Sequence, residues 1–299
     1  MAVPMWLQAM LLGLIQGLTE FIPVSSSGHL VLVPHLLGWE RPGLAFDIAL
    51  HLGTAAAIVV YFRTELLGMI RGVVLGSRTP DGPLYRRLAL LLVLASIPIA
   101  VVGLAFEDAV AEVFSQPLAA CGFLLVTAAI LVGGERFRSR RAVGASIRPV
   151  EVDDPGTRLQ RGADPADPQG LALDRIRPRH ALVVGAAQML ALFPGVSRSG
   201  SSIMAGVFAG LTREAATRFS FLLALPAMVG AGILGLGDLG DTGIYSGPDI
   251  VLGVATAGVS GYLAIRFLVA LVSRARLTAF AVYVTAFALV AGTVLVLRG

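Results

Sequence analysis

Six long stretches nearly free of charge, at 44–62, 88–106, 116–134, 219–236, 250–272 and 277–297, constrain this chain more than any other feature. Each approaches the roughly 20 residues that carry an α-helix across a hydrocarbon core about 30 Å thick. In that medium every backbone polar group needs an internal partner, and segments of this length satisfy theirs as helices. The chain is 14% charged, against about a quarter in a soluble domain. An all-α polytopic membrane protein with six transmembrane helices is expected. The N-terminal stretch has neither a basic n-region nor a small-residue cleavage site ahead of its first polar motif, so it is expected to stay in the mature protein.

The charges that remain sort by side. All 23 basic residues are arginine, and the net charge is +4. In a soluble protein that balance would suggest nucleic acid; here topology accounts for it, and no nucleic-acid partner is expected. Arginines cluster at 63–87, at 135–180, at Arg213 and Arg218, and at Arg274 and Arg276. The opposite connections carry Glu107, Asp108 and Glu112, and Asp238, Asp241 and Asp249. The positive-inside rule makes the first group cytoplasmic and the second external, which with six spans puts both termini on the outer face. The single cysteine, Cys121, forms no internal disulfide and has no metal-ligand spacing around it, so redox and zinc chemistry are not expected.

Two polar runs interrupt the apolar sequence: Gln16-Gly-Leu-Thr-Glu20-Phe-Ile-Pro-Val-Ser25-Ser26-Ser27-Gly28-His29, and Gln188-Met-Leu-Ala-Leu-Phe193-Pro194-Gly-Val-Ser197-Arg198-Ser199-Gly200. Moving the chain by 172 residues takes Gly13 onto Gly185, Gln16 onto Gln188, Ser25 onto Ser197, Ser27 onto Ser199 and Gly28 onto Gly200. The same shift sets Ser26 opposite Arg198 and His29 opposite Ser201. The chain reads as a duplication: a first repeat at 1–134, a polar cytoplasmic linker at 135–180 and a second repeat at 181–299. Three spans, an odd number, separate the motifs, so the second copy enters the membrane from the opposite side. That is an inverted-topology repeat, whose broken helices meet near the midplane. Pro23, Gly28, Pro194, Gly195 and Gly200 are the helix breakers. The segments 5–40 and 181–213 are therefore expected to be re-entrant helix–loop–helix hairpins.

The residues of the two loops suggest their chemistry. Gln16 and Glu20 are four apart and share a helix face. An ionisable group within a membrane is costly enough to be a functional candidate. Glu20, the hydroxyls of Ser25, Ser26 and Ser27, and His29 supply a carboxylate, nucleophiles and a proton-transfer group. The plainer alternative is that the serines cap the next helix and Glu20 is a satisfied interfacial residue. Arg198, flanked by Ser197, Ser199, Ser201 and Ser202 at a helix start, suits an anion such as phosphate or carboxylate. Its plainer alternative is a structural Arg–Glu pair, Glu20 being one candidate partner.

These residues resemble a known family, the undecaprenyl-diphosphate phosphatases, also called bacitracin-resistance proteins. The family's (E/Q)xxxE element is Gln16-Gly-Leu-Thr-Glu20 here, and its PGxSRSG element is Pro194-Gly-Val-Ser-Arg198-Ser-Gly200. The likeness covers nearly the whole chain, including Phe219-Ser-Phe-Leu-Leu-Ala-Leu-Pro226, and leaves out the arginine-rich 135–180. It implies a multi-pass enzyme of the bacterial plasma membrane, its cavity open to the outer face. That enzyme removes the terminal phosphate of a polyprenyl diphosphate to regenerate the carrier lipid of peptidoglycan synthesis, and so confers bacitracin resistance. The resemblance implies Ser26 as nucleophile, His29 as proton-transfer group and Arg198 as phosphoryl clamp, with the roles of Glu20 and His29 exchangeable. Ser25, Ser27, Ser197, Ser199 and Gly200 would surround the phosphate. A Mg²⁺ or Ca²⁺ ion would be held by Glu20 and Gln16. Gln16 stands where family members often have Glu, which shifts the metal's charge onto Glu20.

Other candidates carry less. His51, one turn from Asp47, is expected to be packed and hydrogen-bonded rather than functional, and His35 and His180 sit near span ends. Gly258-Val-Ser260-Gly261 matches an intramembrane serine-protease motif but lacks a later histidine. The competing class is a secondary transporter or lipid flippase, since inverted repeats with a midplane anion site are a transporter architecture. A carrier does not require nucleophile, imidazole, carboxylate and arginine together, so the enzyme is preferred. The sequence leaves oligomeric state open, with a homodimer among the options.

Overall fold

The computed structural model describes residues 3–106, 113, 116–145, 170–234, 244–272 and 275–298. The acidic residues expected on the outer side, Glu107, Asp108, Glu112, Asp238 and Asp241, together with Arg274 and 146–169 of the linker, lie outside the described residues.

The described chain is helical apart from one bridge between Leu171 and Leu211. Helix α1 (Met5–Phe21) stops because Ile22 precedes Pro23, which drives the preceding residue into extended backbone; its ψ is 133°. Helix α2 (Ser26–Leu37) starts on Ser25 and closes on Gly38, whose φ of 68° is the left-handed cap that glycine adopts most readily. Helix α3 (Leu44–Tyr61) turns through 79° at Phe62 into α4 (Arg63–Leu75). Two long helices follow, α5 (Gly82–Ala105) and α6 (Pro117–Ala145). After the linker, α7 (Pro178–Gln188) tightens into a 3-10 turn at Met189–Leu192. Helix α8 (Arg198–Phe208) begins beyond Pro194 and Gly195, followed by α9 (Arg213–Leu234), α10 (Gly247–Val272) and α11 (Thr278–Arg298).

Helices α5, α6, α9, α10 and α11 are long and apolar enough to cross a membrane, and the bent pair α3–α4 makes the sixth. The chain is an all-α, multi-pass membrane protein. Two local expectations change. The apolar run 44–62 is one helix, α3, but it turns through 79° at its end, and α4 occupies what reads in sequence as an arginine-bearing connection. The polar segment 135–180 is helical at its start, where α6 runs on to Ala145 beyond its apolar stretch, and turns at Leu173–Arg175.

The two hairpins each pack against the long helix of the other half: α1 lies along α10, and α7 along α5. Glycine permits both approaches. A Cβ on Gly13 would drive into the backbone of Gly253 on α10, one on Gly17 into Ala257 and Ser260, and one on Gly185 into Ala95 on α5. Gly13 and Gly185 are the positions that the 172-residue shift superposes. Outward-facing Val74, Val101, Val251 and Val282 leave apolar surface on the perimeter, as expected where lipid is the solvent.

Candidate active site

The two broken hairpins bring their loops into contact. The Gly195 N–H donates to Ser27 Oγ at 3.3 Å, and Ser199 Oγ donates to the Ile22 carbonyl at 3.5 Å. Each loop ends in the same device. Ser25 Oγ accepts the Gly28 N–H at 3.2 Å and Ser197 Oγ accepts the Gly200 N–H at 3.0 Å, so both serines cap their helices. Within each loop the capping hydroxyl bonds the serine two residues on, Ser25 to Ser27 at 3.2 Å and Ser197 to Ser199 at 3.1 Å. The capping role is thus real for two of the expected phosphate-binding hydroxyls, Ser25 and Ser197, with Ser27 and Ser199 bonded to them, and what they fix is the pair of helix starts at Ser26 and Arg198. Ser25 adopts φ 71°, the one positive value among the described non-glycine residues. Such a conformation costs about 1–3 kcal/mol and persists only where the surroundings enforce it; here the cap bond and the His29 ring do so.

Glu20, at the end of α1, is the meeting point. Its Oε2 accepts Ser26 Oγ at 2.5 Å and Gln16 Nε2 at 3.1 Å. Its Oε1 accepts Arg198 Nη2 at 2.5 Å, an ion pair between the two halves of the chain. Arg198 Nη1 also donates to the Ser220 carbonyl of α9 at 3.1 Å, which aims the guanidinium at Glu20. The carboxylate is 6% exposed and the guanidinium 13%, so the pair sits in low dielectric. There, removing one partner costs about 3–5 kcal/mol. Behind the pair, Phe21 and Phe221 meet edge to face at 5.2 Å.

Two histidines take unexpected places. His29 is buried on α2, but the structure does not bring it to the Ser26 hydroxyl. Its Nδ1 donates to the Ser25 carbonyl at 2.7 Å, which in the neutral ring leaves Nε2 to accept from Tyr283 OH at 2.9 Å. The imidazole stacks on Phe287 of α11, with centroids 4.3 Å apart. His51 is a residue that sequence reasoning set aside: its Nε2 lies 3.6 Å from Glu20 Oε2, with Nδ1 donating to the Asp47 carbonyl at 2.8 Å. Its side chain is 33% exposed, which makes it a path between the buried carboxylate and water.

The loops also offer donors for a hard divalent cation. Gln16 Oε1 is buried with no hydrogen-bond partner among the described residues, beside the Glu20 carboxylate. Oxygens of that kind would suit Mg²⁺ or Ca²⁺ while Glu20 is ionised, with the Gln16 amide turned, since its Nε2 faces the carboxylate here. Among the described residues no group of three His, Cys, Asp or Glu side chains converges on one point, so the remaining ligands would be water and substrate oxygens.

The family model described as bacitracin resistance protein BacA matches residues 9–290. The chain belongs to this family. Relatives named undecaprenyl-diphosphatase agree along most of the length. One from Geobacter sulfurreducens is 39% identical, covering 93% of each chain. Another from Desulforudis audaxviator is 39% identical over 98% of each, and one from Mycobacterium avium is 38% identical over 93% of each.

In this member of the family a further residue organises the second loop. Thr127, midway along α6, donates from Oγ1 to the Gly195 carbonyl at 2.8 Å and accepts the Ser197 N–H at 2.8 Å. Sequence reasoning missed it, because a lone threonine in an apolar span ordinarily bonds its own helix. Gln188, the counterpart of Gln16, is buried with both amide atoms unpartnered among the described residues. Ser260 donates to the Thr256 carbonyl of its own helix at 2.7 Å and packs under Gly17.

Proposed function

We propose that this chain is an integral-membrane phosphatase that hydrolyses undecaprenyl diphosphate to undecaprenyl phosphate and inorganic phosphate. The product is the carrier lipid of peptidoglycan synthesis, and its recycling is what confers bacitracin resistance. The relatives' names supply the substrate. The observation that carries the mechanism is the buried Ser26–Glu20–Arg198 chain, a hydroxyl and a guanidinium on the two oxygens of one carboxylate.

Ser26 Oγ attacks the terminal phosphorus as Glu20 takes its proton; the Oγ–P bond forms, and the bridging P–O bond breaks to release undecaprenyl phosphate. A protonated Glu20 no longer holds a guanidinium. Arg198 is thereby released to the phosphoryl group as its equatorial oxygens gain charge, which is where transition-state stabilisation acts. Water then attacks the phosphoseryl phosphorus, the Oγ–P bond breaks, and Glu20 returns the proton to Ser26 as phosphate leaves. His51 exchanges protons between Glu20 and water. His29 is given a positioning role, holding the strained Ser25 through its carbonyl. The N-termini of α2 and α8, fixed by Ser25, Ser27, Ser197, Ser199 and Gly200, present backbone N–H groups to the diphosphate. A Mg²⁺ or Ca²⁺ ion would be held by Gln16 and by Glu20 while that carboxylate is ionised, before it takes the Ser26 proton, and would neutralise phosphate charge as the substrate arrives.

The architecture belongs to the same reading: two inverted repeats, 1–134 and 181–299, whose re-entrant hairpins meet at the bilayer midplane of the plasma membrane, with the cavity open to the outer face. Reciprocal packing of α1 on α10 and α7 on α5 supports it. The test is acid-quench trapping with substrate labelled in the terminal phosphate. A labelled phosphoserine at Ser26, absent from Ser26→Ala, is expected. Full turnover by Ser26→Ala without a trapped adduct would show direct attack by water.

A further inference from the structure

Away from these loops, three arginines without a partner among the described residues line one cleft. Where the polar end of α6 meets the start of α11, a cleft of about 470 Å³ is lined by Glu135, Arg136, Ser139, Arg140, Arg276 and Thr278. Its one acid is engaged. Glu135 is buried and accepts from the Leu277 N–H at 3.1 Å, from Arg213 at 3.5 Å and from Arg138 at 3.4 Å. Ser139 donates to its own helix at the Glu135 carbonyl. Arg136, Arg140 and Arg276 are exposed, and none makes a hydrogen bond or ion pair with another described residue. Among the described residues the cleft therefore carries three uncompensated positive charges, and Thr278 adds a hydroxyl to its lining.

The surface below it is apolar. Arg136 and Arg140 share a face of α6 with Val132, and the stripe continues toward mid-helix as Ala129 and Leu125, both exposed. A group of arginines over an outward-facing apolar stripe matches a molecule with an anionic head and a hydrocarbon tail. Basic pockets between membrane helices on the cytoplasmic side bind phospholipid headgroups in this way, and the arginine-bearing ends are cytoplasmic in the proposed orientation. A second arginine cleft, near Gly76, differs: there Arg87 is tied to the carbonyls of Asp174 and Ile176 at 2.5 and 2.8 Å.

We infer that the α6–α11 cleft is a binding site for the phosphate of an anionic phospholipid, separate from the catalytic loops. A phosphodiester oxygen would take bidentate donors from the arginines, with an acyl chain along Val132, Ala129 and Leu125.

Native mass spectrometry of the full-length protein, incubated with dioleoyl-phosphatidylglycerol or dioleoyl-phosphatidylcholine, tests this. The wild type should retain phosphatidylglycerol in preference. The triple variant Arg136→Gln, Arg140→Gln, Arg276→Gln should retain about tenfold less or lower still, since three charge-assisted contacts are lost. Arg86→Gln, in the other cleft, should behave as wild type. Wild-type rates of phosphate release in phosphatidylcholine would certify that the triple variant is folded. Equal retention by wild type and triple variant would overturn the inference. So would displacement of the lipid by millimolar inorganic phosphate, which would assign the cleft to the free ion. If the triple variant does not accumulate, Arg276→Gln alone and a sodium chloride titration of the wild type carry the test. Retention by the wild type should fall as salt screens the contacts, and retention indifferent to salt in both proteins would contradict it.

Discussion

At the scale of single residues, the account rests on what Glu20 holds. Arg198 reaches it through a planar fork that also bonds the Ser220 carbonyl, and a lysine ammonium reproduces neither contact geometry nor a bidentate grip on phosphate. Arg198→Lys should therefore lose activity nearly as Arg198→Ala does, by about two orders of magnitude or more given the ~10³–10⁵-fold worth of transition-state arginines. Phosphate release by detergent-solubilised protein reads this directly, and near-normal turnover in the lysine variant would leave Arg198 as an ion-pair partner only. Gln16→Glu should keep activity and raise apparent metal affinity, because an anionic oxygen replaces the orphaned Oε1 beside Glu20. A metal titration identical to wild type would remove Gln16 from the ion's surroundings. His51→Ala should lower kcat by roughly tenfold to a hundredfold with KM little changed, the loss expected for a displaced proton-transfer group. Steady-state kinetics separate this from a packing role, which would leave kcat intact.

Much of the site is legible in the amino-acid sequence. Glu20, Ser26 and Arg198 stand out because polar groups inside apolar sequence need a reason, and the plainer alternatives are part of the answer: the serines do cap, and Arg198 does pair with Glu20. His51 is not legible. Its contact with Glu20 depends on how α3 lies against α1, and no periodicity encodes the approach of helices 31 residues apart in sequence. His29 misleads for the converse reason, since adjacency in a motif does not say which way a ring faces once Tyr283 and Phe287 offer it a stack.

At the scale of elements, breaks are easier to read than bends. Pro23 before α2 and Pro194 with Gly195 before α8 mark loops by covalent geometry alone, and the helices stop there. The 79° turn at Phe62 has no proline or glycine beside it, so the sequence shows the helix of the apolar run 44–62 but not its sharp turn into α4. Similarly, α6 outlasts its apolar stretch because Glu135 and Arg138 pair one turn apart along it. The second loop is pinned from outside its own hairpin by Thr127. Thr127→Val is nearly isosteric and removes both bonds, stranding a buried carbonyl and N–H, at a cost of about 1–3 kcal/mol for each unsatisfied group. A lower melting temperature together with reduced kcat is expected. Unchanged stability would mean that the loop holds its shape without α6. Gly13→Leu and Gly185→Leu should each prevent accumulation of folded protein, since a side chain at either position enters the backbone of the helix it crosses. Normal yield of either variant would contradict the close packing of α1 on α10 or of α7 on α5.

At the scale of the whole molecule, the halves are joined through their reactive groups: the carboxylate and hydroxyl come from one hairpin and the guanidinium from the other. Neither half holds a complete site. The proposed orientation, read from the arginines by the positive-inside rule, would put the segment 135–180 in the cytoplasm and the acidic connections outside. In a Cys121→Ala background, Asp108→Cys and Asp241→Cys should react with a membrane-impermeant maleimide in intact cells, and Ser146→Cys only after lysis. Labelling of Ser146→Cys in intact cells would reverse the orientation.

The most direct measurement is single-turnover phosphate release from undecaprenyl diphosphate by purified wild type, Ser26→Ala and Glu20→Gln, each checked for folding by its melting curve. Knocking out a nucleophile or its base in a coupled catalytic unit typically costs about 10⁴–10⁶ in rate. The account predicts losses of that order in both variants, with the protein still folded. Folded Glu20→Gln that releases phosphate at the wild-type rate would contradict it, because the carboxylate shared by Ser26 and Arg198 would then have no part in the chemistry.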